Sequence, residues 1–165
     1  MNITQPFYKI VALRASFLQR ARREGIDELG QPVEASLAEG GEPLRDALRR
    51  AAPGEAILLA SYCPFELAGP FREYGPVYLL AGGAPEPVPE RLPAGAPGSY
   101  FGAPFVLRAY SAAERIVGAV LCAPHESETQ LAALLARAEV AFVLARFAAY
   151  GCYGCRIERA GPAQG

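Results

Sequence analysis

Two stretches of the chain are apolar at nearly every position: Ala56-Ile57-Leu58-Leu59-Ala60-Ser61-Tyr62 and Val77-Tyr78-Leu79-Leu80-Ala81, each flanked by proline and glycine. Their length and flanks predict buried strands rather than helices. Similar composition predicts strands over 7–14, 104–110, 115–122 and 140–148, with a short last one over 155–159. Three segments carry helical periodicity instead. Ser16 caps a short helix through Glu24, with Phe17, Leu18 and Ala21 on one side and Gly25 as its stop. Leu44, Ala47, Leu48 and Ala51 recur at i, i+3, i+4 and i+7 between Pro43 and Pro53-Gly54, which predicts a second helix. Ser127 and Gln130 make a capping box ahead of Leu131, Leu134, Leu135 and Ala138, which predicts a third over 128–138. Hairpin-length links alternate with helical crossovers. The fold class is therefore α+β: a single domain over 1–165 with one mixed sheet of about six or seven strands and two or three helices.

Between 82 and 98 lie Pro85, Pro87, Pro89, Pro93 and Pro97 with four glycines, which forbids a regular element and predicts a long loop. It reads as a slack insertion rather than a cover over a site. Residues 160–165 read as a flexible tail. The hydrophobic share of 52% against 20% charged residues indicates a compact globule rather than disorder.

A formal net charge of -1 gives no global attraction to nucleic acid or to an anionic membrane, and no basic stripe or base-reading motif is present. No stretch approaches the ~20 apolar residues needed to span a bilayer. Met1-Asn2-Ile3-Thr4-Gln5-Pro6 lacks the pattern of a secretory signal, so the four cysteines are expected as reduced thiols in the cytoplasm. The apolar strands leave room for a homodimer.

The most direct chemistry lies near the end, in Cys152-Tyr153-Gly154-Cys155. Two thiols at this spacing can act as a redox pair or share a metal. Cys122-Ala123-Pro124-His125 holds the single histidine at the same spacing. Cys122, His125, Cys152 and Cys155 together would make a tetrahedral zinc set, provided that strands 115–122 and 140–148 run parallel and end at one sheet edge. Against this, free cysteine is among the most buried residue types, and Cys63 and Cys122 end apolar runs as core residues do. Without zinc, no cofactor is expected.

A second candidate is the loop 63–76, where Phe71, Arg72, Glu73 and Tyr74 can hold a small anion by a guanidinium fork beside an aromatic wall, with Arg156 as a further cation. The plainer reading is an Arg72–Glu73 surface pair. The single histidine, the lack of G-x-S-x-G and the lack of a phosphate loop ending in Lys-Ser/Thr leave no familiar catalytic set.

Several segments resemble the bacterial family catalogued as domain of unknown function 1203. They are Ala52-Pro53-Gly54-Glu55 leading into Ile57-Leu58-Leu59, Tyr62-Cys63-Pro64-Phe65, Phe71-Arg72-Glu73-Tyr74-Gly75-Pro76-Val77-Tyr78, and the closing Gly151-Cys152-Tyr153-Gly154-Cys155-Arg156-Ile157. The resemblance implies no activity. It does imply two departures: cysteine is common in the family where this chain has Leu44, and histidine is common near the position of Leu144. Cys122 and His125 are not features of the likeness. The expectation is thus a non-enzymatic domain that binds an unknown small molecule or a protein, with a thiol-redox or zinc function at Cys152 and Cys155 as the alternative.

Overall fold

The structure, a computed structural model, describes residues 6–161. Its strands form two five-stranded sheets. In the first, β1 (Tyr8–Val11), β10 (Tyr153–Arg159), β9 (Phe142–Phe147), β7 (Phe105–Tyr110) and β8 (Ile116–Cys122) lie in that order with every neighbour antiparallel. The second runs β2 (Glu34–Leu37), β5 (Ala56–Tyr62), β6 (Gly75–Leu80), β3 (Pro43–Leu44) and β4 (Arg49–Arg50), with β3 and β6 as its parallel pair. Two α-helices, α1 (Ala15–Gln19) and α2 (Ser127–Leu135), complete an α+β fold.

A pair of stacked sheets replaces the single sheet of six or seven strands, and β5 explains why the distinction was invisible. Leu58, Ala60 and Tyr62 point into an interlayer core with Val77, Leu79, Tyr110, Phe142 and Leu144, whereas Ile57 faces a separate cluster with Leu44, Ala47 and Ala51. A strand apolar on both sides reads the same in one covered sheet as in two packed ones. A third core lies on the far side of the first sheet, where Leu131, Leu134 and Leu135 of α2 cover Leu107, Val143, Ala145, Cys155 and Ile157.

The helix expected after Pro43 is a hairpin. The Leu48 N–H does reach the Leu44 carbonyl at 2.7 Å, as in one helical turn. Leu48 then takes φ 52°, which reverses the chain into β4. All four apolar positions are buried, so the periodicity found the buried face and misassigned the element. Gly25 ends the first helix as expected, at φ 68°, although residues Arg20–Glu24 widen into a π-type turn. The start of α2 also shifts. Glu126, rather than a Ser127 box, accepts the Ala123 N–H at 3.0 Å, while the Ser127 hydroxyl donates to the Pro124 carbonyl at 2.8 Å. The helix stops at Leu135, and Ala138 is exposed.

The 82–98 segment is a loop, but not a slack one. Leu92 is buried in the third core, its N–H donates to the Tyr8 hydroxyl at 2.8 Å, and Glu86 pairs with Arg49 at 2.8 Å. Of the tail expected over 160–165, residues 162–165 lie outside those described. No described helix is long and apolar enough to cross a membrane.

Candidate functional site

The site is built around the turn from β9 into β10. Gly151 supplies φ 70°, which a residue with a Cβ adopts at a cost. Its N–H donates to the Phe147 carbonyl at 2.8 Å, and the Phe147 N–H donates to the Cys152 carbonyl at 3.0 Å. The register then slips: Tyr153 faces Arg146, but Cys155 faces Ala145, leaving Gly154 as a bulge. In a regular strand Tyr153 and Cys155 would share a side. Across the bulge they part, Tyr153 entering the interlayer core and Cys155 the core beneath α2. Glycine is required at the bulge, since a Cβ there would lie 2.6 Å from the Phe101 ring and 2.8 Å from the Ala145 carbonyl oxygen.

Three carbonyls of this turn are gripped by buried side chains. Arg146 Nη1 donates to Gly151 at 3.0 Å, Arg45 Nε to Tyr153 at 2.8 Å, and the Tyr100 hydroxyl to Gly154 at 2.8 Å. The turn is therefore fixed from three directions, and Cys152 is held at the surface of a rigid rim.

Two recesses share that rim. The smaller, of about 170 Å³, is walled by Tyr62, Glu73, Tyr74, Arg146, Tyr150 and Cys152. The larger, of about 930 Å³, runs along the outer side of β5 and β6 past Arg45, Arg50, Tyr78, Phe147, Tyr150 and Cys152. Its size suits a small-molecule ligand, which needs roughly 300–1,000 Å³. Tyr150 stands at the lip of both and is 88% exposed.

The charges in the groove are unusual. Arg45 is only 5% exposed, and its guanidinium lies 5.1 Å from the centre of the Phe147 ring. The Arg50 guanidinium lies 5.2 Å from the same ring. Arg45 donates to the carbonyls of Tyr153 and Pro43, and Arg50 to those of Gly41, Ser99 and Tyr100. Among the described residues, neither pairs with a carboxylate. Burial holds the Arg45 pKa below its usual value and the neighbouring Arg50 adds to that, while Tyr100, Cys152 and Tyr153 oppose it. Glu39 and Glu42 also line the groove, and the Glu42 carboxylate turns back to accept the N–H groups of Glu39 at 2.7 Å and Gly40 at 3.0 Å. In the smaller recess Arg146 pairs with Glu73, and its Nε is buried without a partner.

The thiols have different surroundings. Cys155 is sealed in the core, and burial pushes its thiol well above the usual range. Cys152 is half-buried, with Sγ 3.6 Å from the Tyr150 carbonyl oxygen. The four cysteines are unpaired. The zinc set is not assembled, and among the described residues no group of three or more His, Cys, Asp or Glu side chains is placed to hold a metal. Strands β8 and β9 do run parallel, and Cys122 and Phe147 do reach the same sheet end, since both oppose Phe105. However, β7 and β9 intervene between β8 and β10, which separates Cys122 from Cys155 by roughly 14 Å at strand spacing. His125 lies in the short turn beyond Cys122.

The other loop candidates divide. Glu73 and Tyr74 line the smaller recess with Cys152. Arg72 does not pair with Glu73: it donates to the Phe65 and Leu67 carbonyls at 3.3 and 3.1 Å and lies over the Tyr74 ring, binding its own loop together. Phe71 packs under Arg115, and Arg156 stacks 3.7 Å from the Phe142 ring while pairing with Glu158, so neither faces a recess.

The model of the family described as protein of unknown function (DUF1203) matches residues 41–159. The chain belongs to this family. The matched stretch contains Arg45, Arg50, Arg146, Phe147 and the whole Cys152–Cys155 motif. No curated protein and no solved structure matches the chain. Leu44 and Leu144, the two positions that the resemblance marks as departures, are fully buried in separate cores, and neither lines the groove or the smaller recess.

Sequence reasoning missed Arg45, Arg50, Arg146 and Phe147. Arg45 and Arg50 fall outside the apolar positions Leu44, Ala47, Leu48 and Ala51 that defined the expected helix, so the periodicity gave no sign of them. Arg146 did leave a signal: it is the one charge within the apolar strand run 140–148, and charged residues are almost never fully buried unless paired.

Proposed function

We propose that this protein is a non-enzymatic binding domain that takes a small anionic ligand in the groove beneath Arg45, Arg50 and Phe147. One observation carries the reading: two guanidinium groups flank a single aromatic ring in the wall of a cavity, and neither is paired with a carboxylate. Like charges held together away from water are costly unless a counter-charge arrives. Arginine's planar fork suits a carboxylate or a phosphate, and Phe147, Tyr78 and Tyr150 offer walls for an aromatic or apolar body. The cytoplasm fits this reading, because its reducing conditions keep the four thiols free.

Calorimetric titration with benzene dicarboxylate tests it. Saturable binding that weakens with salt and falls about tenfold in Arg50→Gln is the expected result, one charge-assisted contact being worth that much. Affinity that is indifferent to both salt and Arg50 would remove the groove as the site.

A further inference from the structure

We infer that Cys152 is a single reactive thiol that captures anionic disulfides bound in the groove, forming a reversible mixed disulfide. The inference rests on the binding reading above and extends it from holding an anion to reacting with one.

The geometry separates Cys152 from Cys155. The bulge at Gly154 sends the Cys155 sulfur into the core, so the pair does not act as a dithiol despite its spacing. Cys152 remains at the rim, in the wall of both recesses. Arg45, 5% exposed and without a carboxylate partner, lines the larger recess beside it and donates to the carbonyl of the next residue, Tyr153. Arg146, also 5% exposed, lines the smaller one and leaves Nε unpartnered. Arg146 is paired with Glu73, so the larger recess, where Arg45 and Arg50 have no carboxylate partner, is the side from which an anionic reagent is drawn to the sulfur.

The reaction is thiol–disulfide exchange. Cys152 first gives its proton to solvent, and the thiolate attacks one sulfur of the bound disulfide. A new sulfur–sulfur bond forms as the original one breaks, and the departing half leaves as a thiolate carrying the electron pair. The Cys152 sulfur is oxidised and the leaving sulfur reduced. With Cys155 facing away, no second thiol in the motif resolves the adduct, which persists until an external thiol removes it.

The test compares two chromogenic disulfides on the reduced protein: dianionic dithiobis(nitrobenzoate) and neutral dithiodipyridine, each rate divided by its rate with free mercaptoethanol. The expected result is a preference for the dianion of about tenfold at low salt, within the range of electrostatic steering. The preference is lost at high salt and in Arg50→Gln, and mass spectrometry places one adduct on Cys152 that Cys152→Ser abolishes. An absent preference, a preference surviving in Arg50→Gln, or an adduct on Cys63, Cys122 or Cys155 would overturn it. Benzene dicarboxylate binding to the wild-type protein, measured in parallel, separates the two claims. Binding without selective capture leaves the binding reading standing and ends this one, whereas loss of both ends both.

Discussion

Arg49 and Arg50 are neighbours in one short strand, yet they meet opposite fates. Arg49 is neutralised twice, with Nη2 2.7 Å from a Glu55 oxygen and 2.8 Å from a Glu86 oxygen. Arg50 turns to the other side, where it and Arg45 share Phe147 and find only carbonyls. Alternation along a strand explains the geometry, since successive side chains point to opposite faces. The difference shows how the two faces are used. Arg49 ties the 82–98 loop to the hairpin, whereas Arg45 and Arg50 keep positive charge available inside a cavity.

The largest expected effect comes from Arg45→Met. It removes the donor to the buried Tyr153 carbonyl and to the half-buried Pro43 carbonyl, which costs roughly 3 kcal/mol. Urea unfolding should show a lower midpoint with an unchanged slope. A midpoint equal to wild type would mean that Arg45 does not hold the rim. Next is Gly154→Ala, whose new Cβ would press on Phe101 and the Ala145 carbonyl, with an expected loss of roughly 2 kcal/mol by the same assay. A neutral outcome would show that the bulge can shift, and would reopen the separation of the two thiols.

Arg49→Gln sharpens the comparison from the other side. Anion affinity should stay at the wild-type level while the response to acid changes. Hydrogen bonding to Arg49 first, and then to the Ala52 N–H, pulls the Glu55 carboxyl down from 4.5 to about 2. A group whose pKa is lowered on folding stabilises the protein above its unfolded value and loses that contribution as pH falls. The wild type should therefore lose stability between about pH 4.5 and 2, and Arg49→Gln should lose less over that interval. Acid unfolding curves that coincide would show that the pair contributes nothing measurable.

How far the sequence could lead is clear from individual elements. The limits of β5 matched residue for residue, because a run apolar on both faces and bounded by Pro-Gly permits few alternatives. The α2 face was also legible from Leu131, Leu134 and Leu135. The β3–β4 hairpin was not, because one helical turn closed by a left-handed Leu48 satisfies the same periodicity as a full helix. At the site, the sequence singled out Cys152, which lines both recesses, but not how the two sulfurs of its motif are placed. A two-thiol spacing looks the same whether the strand is regular or bulged, and only the slip at Gly154 separates the sulfurs. The groove depended on Arg45 and Phe147 meeting across about a hundred residues of chain, which no local pattern records.

The central claim is that the groove's uncompensated arginines form an anion site. Crystals grown with an iodinated benzene dicarboxylate test it most directly, through the anomalous signal of iodine. The account predicts iodine peaks over Phe147, with a carboxylate against Arg45 and Arg50. Ordered ligand at other surface arginines with an empty groove would contradict it.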